Sequence, residues 1–163
     1  MLNNIAVEAE KLLNSYLKNK KRIKHSISLA NFMKDCSPKF GLDQDKAFLV
    51  GLVHDIGKEL SDSDILSLST SFKNRGIVEI NYWDFKINFP FLLHGVASAE
   101  ILIDKLDIIE SDILKAIINH TTGGTDLDEL SKLTFICDFC EPKRKYKEAK
   151  MVRDILAESN NLN

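Results

Sequence analysis

The sequence predicts an all-α protein, and three observations support that prediction. Apolar residues recur at the three-to-four-residue spacing of a buried helix face through most of the 163 residues. Seven glycines and three prolines suit long helices better than many strands and turns. A hydrophobic content of 44% and a charged content of 28% are typical of a globular protein with a substantial core. We therefore expect one domain over residues 1–163, with its core at roughly 18–146.

The N-terminal half is predicted to contain four helices, over residues 4–18, 21–35, 47–56 and 61–72. Pro38 and Gly41 separate the second helix from the third, as helix stops usually do. Asp43 is the expected N-cap of the third helix, which is apolar almost all round and should therefore lie in the core. Ser61 and Asp64 are the cap signals at which the fourth helix begins.

The C-terminal half is predicted to contain four more helices, over residues 90–106, 112–120, 127–138 and 147–157. Pro90 is expected to open the first of these, and Asp126 to cap the third. The stretch 75–90 has scattered aromatic residues without a period, which indicates a loop or short helical turns. The asparagine-rich end of segment 147–163 is expected to fray beyond the last helix.

Composition and charge exclude several classes of protein. A net charge of −2 does not favour nucleic-acid binding. No apolar run approaches the ~18 residues of a membrane span, and the first residues lack the pattern of a signal peptide. Three cysteines do not make a disulfide framework. We expect a cytoplasmic protein without membrane or nucleic-acid partners, either a monomer or a homodimer.

The dipeptide His54-Asp55 lies within an apolar stretch that begins at Ala47. Burying an imidazole and a carboxylate together is unfavourable unless a partner satisfies both. A metal ion is such a partner. Taken alone, the pair is equally compatible with two side chains that face opposite ways, one capping a helix and one solvated.

The other histidines favour the metal-binding interpretation. All four, at positions 25, 54, 94 and 120, fall in or at the end of a predicted buried helix. Asp138 is flanked by apolar residues, and a lone buried carboxylate is strongly disfavoured. Four imidazoles and two carboxylates are a suitable ligand set for two metal ions bridged by one aspartate. The nitrogen-rich set suits Fe, Mn, Co or Zn better than Mg or Ca.

These residues form the ordered pattern Arg22-x-x-His25, His54-Asp55-x-x-Lys58, His94-Gly95, His120-Thr-Thr-Gly123, Asp138 and Glu141-Pro142-x-Arg144. The pattern resembles the HD-domain metal-dependent phosphohydrolases. Within them it is most similar to the YqeK-type symmetrical bis(5′-nucleosyl)-tetraphosphatases, through the His-Thr-Thr-Gly and Asp-x-x-Glu-Pro-x-Arg segments. The resemblance covers roughly residues 20–146.

The resemblance implies a single HD-domain helical bundle with a central dimetal site. It further implies two divalent metal ions per chain, commonly iron, and hydrolysis of diadenosine tetraphosphate to two ADP. The implied ligands are His25, His54 and Asp138 for one metal and His94 and His120 for the other, with Asp55 bridging them. His54 and Asp55 thereby belong to the catalytic set.

The same resemblance implies the substrate contacts. Lys58 would reach a phosphate or the attacking water, which also makes it a catalytic candidate. Arg22 and Arg144 would bind phosphate oxygens, and the implied lining of the same pocket is Thr121, Thr122 and Gly123. The stretch 75–90 matches no motif of the family, so it predicts nothing about nucleoside specificity.

Other interpretations remain open at this level. The chain could be an HD nucleotidase acting on mononucleotides or guanosine polyphosphates, an HD-fold di-iron oxygenase, or a nucleotide-sensing or RNA-associated module without turnover. Cys137-x-x-Cys140 could be a redox or zinc motif, although plain helix-core cysteines fit better. The threonines after His120 could simply cap a helix, and Lys58 could be an ordinary helix-end charge.

Overall fold

A computed structural model describes residues 2–162, with side chains described from Ile5 to Leu162. Within this part of the chain there are nine α-helices and no strand, so the all-α prediction is confirmed. The helices are α1 Leu2–Tyr16, α2 Lys20–Cys36, α3 Gln44–Val53, α4 Asp62–Arg75, α5 Trp83–Lys86, α6 His94–Leu106, α7 Ser111–Asn119, α8 Glu129–Cys140 and α9 Lys147–Glu158. None of the described helices is long and apolar enough to cross a membrane.

Side-chain caps fix the starts of several helices. Asp43 accepts hydrogen bonds from two backbone amides of α3, and Ser61 accepts one from α4, as predicted. The predicted cap at Asp126 is wrong, because Asp128 accepts the hydrogen bond from the Ser131 amide at 2.8 Å. Asp126 instead has a positive φ of 55° in the preceding loop. The first turn of α8 therefore begins two residues later than the sequence indicates.

Helix α3 ends at Val53, three residues before the predicted end at Ile56. A short 3₁₀ helix, Ile56–Glu59, follows. The bend is set by Gly57, whose amide donates to Ser98 Oγ at 2.9 Å. A Cβ atom on Gly57 would lie 2.6 Å from the His94 carbonyl oxygen, so only glycine allows this approach to α6. The His54-Asp55 pair consequently sits at a helix end, where both side chains turn inward.

Two further segments differ from the predictions. Pro90–Leu93 forms a separate 3₁₀ turn, so α6 begins at His94 and not at the predicted Pro90. Arg75 is the last residue of α4, three residues beyond the predicted end, while 76–89 consists of turns around the short helix α5, as expected. Among the described residues no helix follows Glu158, and Leu162 is buried against the core.

Helix α3 lies at the centre and contacts α1, α2, α7 and α8. Its backbone approaches α2 so closely that a Cβ on Gly51 would lie 2.6 Å from Ala30 Cα. On another side, α4 packs against α6 and is tied to it by Arg75, which contacts the buried Glu100 through two nitrogens at 2.7 and 3.0 Å. The ends of α3 and α7, the start of α6 and the bodies of α2 and α8 thereby meet around one point.

Lys86 in α5 is a buried basic residue that should lower the stability of the fold. Its side chain is buried, Nζ has no hydrogen-bond partner in the part of the chain that the structure describes, and burial lowers the pKa of the amine. An unsatisfied buried polar group lowers stability by about 1–3 kcal/mol. We therefore expect Lys86→Met to raise the free energy of unfolding by an amount in that range at pH 7, measured by urea denaturation.

The difference in stability between Lys86→Met and the wild type should depend on pH. In the unfolded chain the lysine keeps its ordinary pKa near 10.4, whereas in the folded protein the pKa is lower. The unfolded state therefore binds more protons between these two values, and stability of the wild type rises with pH across that interval. The advantage of Lys86→Met should shrink correspondingly. An advantage that stays constant up to pH 10 would contradict the burial of a charged amine.

Candidate metal centre

The structure brings all six expected ligand residues together. They come from five places in the fold: His25 from α2, His54 and Asp55 from the end of α3, His94 from the start of α6, His120 from just after α7, and Asp138 from α8. Their nitrogen and oxygen atoms form three overlapping groups, within each of which the ligand atoms lie within 4.8 Å of one another. The groups are His25, His54 and Asp55; His54, His120 and Asp138; and Asp55, His94 and His120.

The backbone fixes the orientation of three of the imidazoles. His54, His94 and His120 each place Nδ1 at the carbonyl oxygen of the residue three positions earlier, at 2.8, 2.6 and 2.7 Å. A carbonyl only accepts hydrogen bonds, so each Nδ1 carries the proton and donates it. The Nε2 atoms are then left with lone pairs directed at the centre, which is the usual arrangement of metal-binding histidines.

One hydroxyl, that of Thr121, is not enough to satisfy these three lone pairs. His94 Nε2 lies 3.0 Å from His120 Nε2, and two lone pairs at that distance repel each other unless a cation lies between them. His54 Nε2 is buried and has no hydrogen-bond partner among the described residues. The donor set of the centre therefore fits divalent metal ions better than it fits a network of protein hydrogen bonds.

Asp55 lies between two groups of imidazoles. Its Oδ1 is 3.0 Å from His94 Nε2 and 3.3 Å from His120 Nε2, while Oδ2 is 3.5 Å from His54 Nε2. The carboxylate is almost fully buried, which opposes its charge, yet the surrounding histidines hold its pKa well below the usual range. With one oxygen directed to each side, Asp55 has the geometry of a bridging ligand.

His25 is held between two carboxylates. Nε2 lies 2.9 Å from Asp138 Oδ1, and Nδ1 lies 3.2 Å from Glu141 Oε1. Although burial opposes the positive charge, the hydrogen bonds to Asp138 and Glu141 raise the pKa of His25 to about 9. The pKa of Asp138 is lowered in turn: burial opposes its charge, but the hydrogen bond from the protonated His25 ring favours it. Metal binding at the α2 and α8 side of the centre would therefore have to displace the proton from His25 Nε2, which frees this nitrogen and Asp138 as ligands.

Lys58 is placed directly beside the centre. Its Nζ lies 3.1 Å from both oxygens of Asp55, and the side chain is 38% exposed. Arg22 lies at the rim, with Nη1 3.2 Å from Glu59 Oε1, and Arg144 approaches Asp138 Oδ1 at 3.5 Å. These three cations line a cavity of about 530 Å³ next to the centre, which we call the basic cavity. The cations that line it are Lys21, Arg22, Lys24, Lys58, Lys143 and Arg144.

The three remaining expected residues lie in the loop after α7, and only one of them contacts the centre. Thr121 Oγ1 lies 2.9 Å from His120 Nε2 and 3.3 Å from His94 Nε2, so its hydroxyl belongs to the centre. Thr122 instead bonds the Gly123 carbonyl within its own loop at 3.3 Å. Gly123 has a φ of 64°, which turns the chain immediately after the helix. A phosphate contact from Thr122 or Gly123 remains a prediction.

The family model of the HD domain matches residues 22–143, which is most of the chain. This chain belongs to the HD domain family. A solved structure supports the same assignment: a predicted HD superfamily hydrolase involved in NAD metabolism from Clostridium acetobutylicum is 32% identical, with a TM-score of 0.80. The match covers 93% of this chain and 77% of the other.

Curated relatives of this HD domain are more distant. It is 28% identical over 132 residues to the symmetrical bis(5′-nucleosyl)-tetraphosphatase of Halalkalibacterium halodurans, a match that covers 81% of this chain and 67% of the relative. The Staphylococcus aureus protein of the same name is 27% identical over 91% of this chain and 73% of its own length. A probable nicotinate-nucleotide adenylyltransferase/Ap4A hydrolase of Mycoplasma genitalium is 27% identical over 78% of this chain, which spans only 34% of that longer protein.

Glu141 is a residue of this HD domain that the sequence interpretation did not place in the site. It is buried, faces His25, accepts a hydrogen bond from Ser28 Oγ at 2.5 Å and another from the Lys143 amide at 2.8 Å. The one signal in the sequence was its place in the Glu-Pro-x-Arg segment. A carboxylate that fixes the far nitrogen of a metal-binding histidine orients the ring and raises its basicity.

We expect Glu141→Gln to weaken metal binding by about 10–100-fold, because the amide orients the His25 ring less firmly. Titration of metal-free protein with Mn²⁺, followed by calorimetry, measures this affinity. Glu148→Gln on the exposed face of α9 is the matched control and should bind as the wild type does. An unchanged affinity in Glu141→Gln would restrict Glu141 to a purely structural contact.

Proposed function

We propose that this HD domain is a metal-dependent hydrolase that cleaves dinucleoside tetraphosphates symmetrically, turning diadenosine tetraphosphate into two molecules of ADP. The observation that carries the proposal is the position of Asp55 beside a cavity lined by six cations. One oxygen of Asp55 is directed to His54, and the other to His94 and His120. The names of the tetraphosphatase relatives support the choice of substrate.

The ligand assignment is the one that the resemblance to the family implies, and the close grouping of the six residues supports it. His25, His54 and Asp138 would hold one ion, His94 and His120 the other, and Asp55 both. When bound, two divalent ions supply an activated water and neutralise charge on the phosphates. We propose iron as the metal, on the resemblance to the family and because imidazole ligands suit it.

The remaining residues bind and orient the substrate. The basic cavity supplies positive charge to a polyphosphate that carries several negative charges, and phosphoryl transfer depends mainly on positioning and electrostatics. Lys58 Nζ can leave Asp55 for a phosphate oxygen next to the scissile anhydride, because its side chain is partly exposed. Arg22 and Arg144 bind the flanking phosphates, and the Thr121 hydroxyl donates a further hydrogen bond at the centre.

The cellular setting is proposed on the same basis. The three cysteines, Cys36, Cys137 and Cys140, are all free thiols, which suits a reducing cytoplasm. Cys137 and Cys140 are both fully buried, which agrees with core positions for the two thiols.

Product analysis tests the proposed function. Metal-reconstituted protein is incubated with diadenosine tetraphosphate in ¹⁸O-labelled water, and the nucleotides are separated by chromatography and weighed. The proposal predicts ADP as the only nucleotide, with one labelled oxygen for every two ADP molecules. AMP together with ATP, or no cleavage, would reject it.

A further inference from the structure

A second cavity adjoins the centre and differs in character from the basic cavity. It has a volume of about 510 Å³, which is in the usual range for small-molecule sites. Lys58 and Arg144 line both cavities, while His120, Thr121 and Asp138 join the second one directly to the centre. The rest of its lining is apolar and we call it the aromatic cavity; these residues are Phe135, Ile136, Phe139, Tyr146 and Val152.

Three rings of this cavity are unusually open to solvent. Phe135, Phe139 and Tyr146 are 43%, 44% and 41% exposed, although each ring is large enough to gain from burial. Phe135 and Phe139 are four residues apart and therefore share a face of α8, and Asp138 of the same helix lines the same cavity. The helix that offers a carboxylate to the centre therefore offers two open rings beside it.

Two of the rings, Phe139 and Tyr146, are held in place by contacts with each other. Tyr146 donates a hydrogen bond from Oη to the Phe139 carbonyl oxygen at 2.6 Å. Its ring packs against that of Phe139 with centroids 5.5 Å apart and planes inclined by 74°. A fixed wall of this kind loses little conformational entropy when a flat ligand stacks on it.

The two cavities suit different parts of one ligand. Flat apolar rings bind nucleobases by stacking, which is worth about tenfold or more in affinity for each base. Clustered lysine and arginine side chains bind phosphates. The lining of the basic cavity contains six cations and no aromatic ring other than His25. A ligand with a base in the aromatic cavity would place its phosphates at Lys58 and Arg144, where the two cavities meet.

We propose that the aromatic cavity binds the purine base of one nucleoside of the substrate, while the basic cavity binds the phosphates of the other half. This rests on the proposed function, and it makes recognition one-sided: Phe135, Phe139 and Tyr146 determine the preference for one base only.

The test compares ADP with pyrophosphate, because the two share phosphates and only ADP has a base. Calorimetry on metal-loaded protein measures both dissociation constants for the wild type and for Phe139→Ala. We expect ADP to bind about tenfold more weakly to the variant, while the dissociation constant of pyrophosphate changes by less than about twofold. Phe85→Ala is the matched control, since Phe85 is another open ring (59% exposed) and lies on α5, outside both cavities.

Phe139→Leu distinguishes stacking from general apolar contact, and we expect it to resemble Phe139→Ala. Unchanged ADP affinity in Phe139→Ala overturns the inference, and so does an equal loss for ADP and pyrophosphate. Since ADP is not cleaved in this assay, the result does not depend on turnover. A wild type that fails to cleave diadenosine tetraphosphate would reject the proposed function and still leave the ADP comparison decisive for the base.

Discussion

Replacing Asp55 with asparagine should lower turnover of diadenosine tetraphosphate by at least ~10³-fold, as the loss of a central charged group in an active site does. Among the described residues, this carboxylate alone directs one oxygen to His54 and the other to the pair of His94 and His120. An asparagine keeps the shape but offers one neutral oxygen and turns an N–H donor towards the other side. We therefore expect the variant to lose bound metal as well as activity, and His54→Ala to do the same.

The measurement pairs initial rates with metal content per chain for each variant. Asp154→Asn in α9 is the control, because that aspartate is exposed and pairs only with Lys150 on its own helix among the described contacts. It should retain both the rate and the metal. An Asp55→Asn protein with two metal ions and full turnover would show that the ligand assignment is wrong.

Lys58→Met should lower the turnover number by about 10²-fold while the metal content stays at two ions per chain. The amine lies 3.1 Å from both Asp55 oxygens but is partly exposed, so it is placed to contact substrate and is not needed to close the centre. Methionine keeps the apolar stem and removes only the charge.

The role of Lys58 is defined by comparing its variant with that of Asp55, which is expected to lose metal as well as activity. The rate, the metal content and the dissociation constant of pyrophosphate are measured together, with Lys11→Met on the exposed face of α1 as the control. Loss of metal from Lys58→Met would make the lysine a structural support of Asp55. An unchanged rate would remove it from the site.

The grouping of the six ligand residues could be predicted from the sequence because the signals were local. Each histidine stands at or near a helix end or on a buried face, and the order of motifs matched a known family over most of the chain. The structure adds a physical reason: at the ends of α3 and α7 and the start of α6, an imidazole can reach the carbonyl three residues earlier and so aim Nε2 inward.

The features that the sequence did not reveal depend on contacts between distant segments. Glu141 contacts His25 although the two residues are 116 positions apart in the sequence, and no local pattern predicts that contact. The end of α3 is set by the approach of Gly57 to α6, not by the apolar run that continues past it. Phe139 was counted with the apolar surroundings of Asp138, whereas its ring is largely open and lines a cavity.

The metal content of protein purified without oxygen tests the central claim most directly. Elemental analysis against protein concentration should give two divalent ions per chain, and Asp55→Asn should give fewer. One ion per chain in the wild type would contradict a centre bridged by Asp55, and with it the proposed symmetrical hydrolysis.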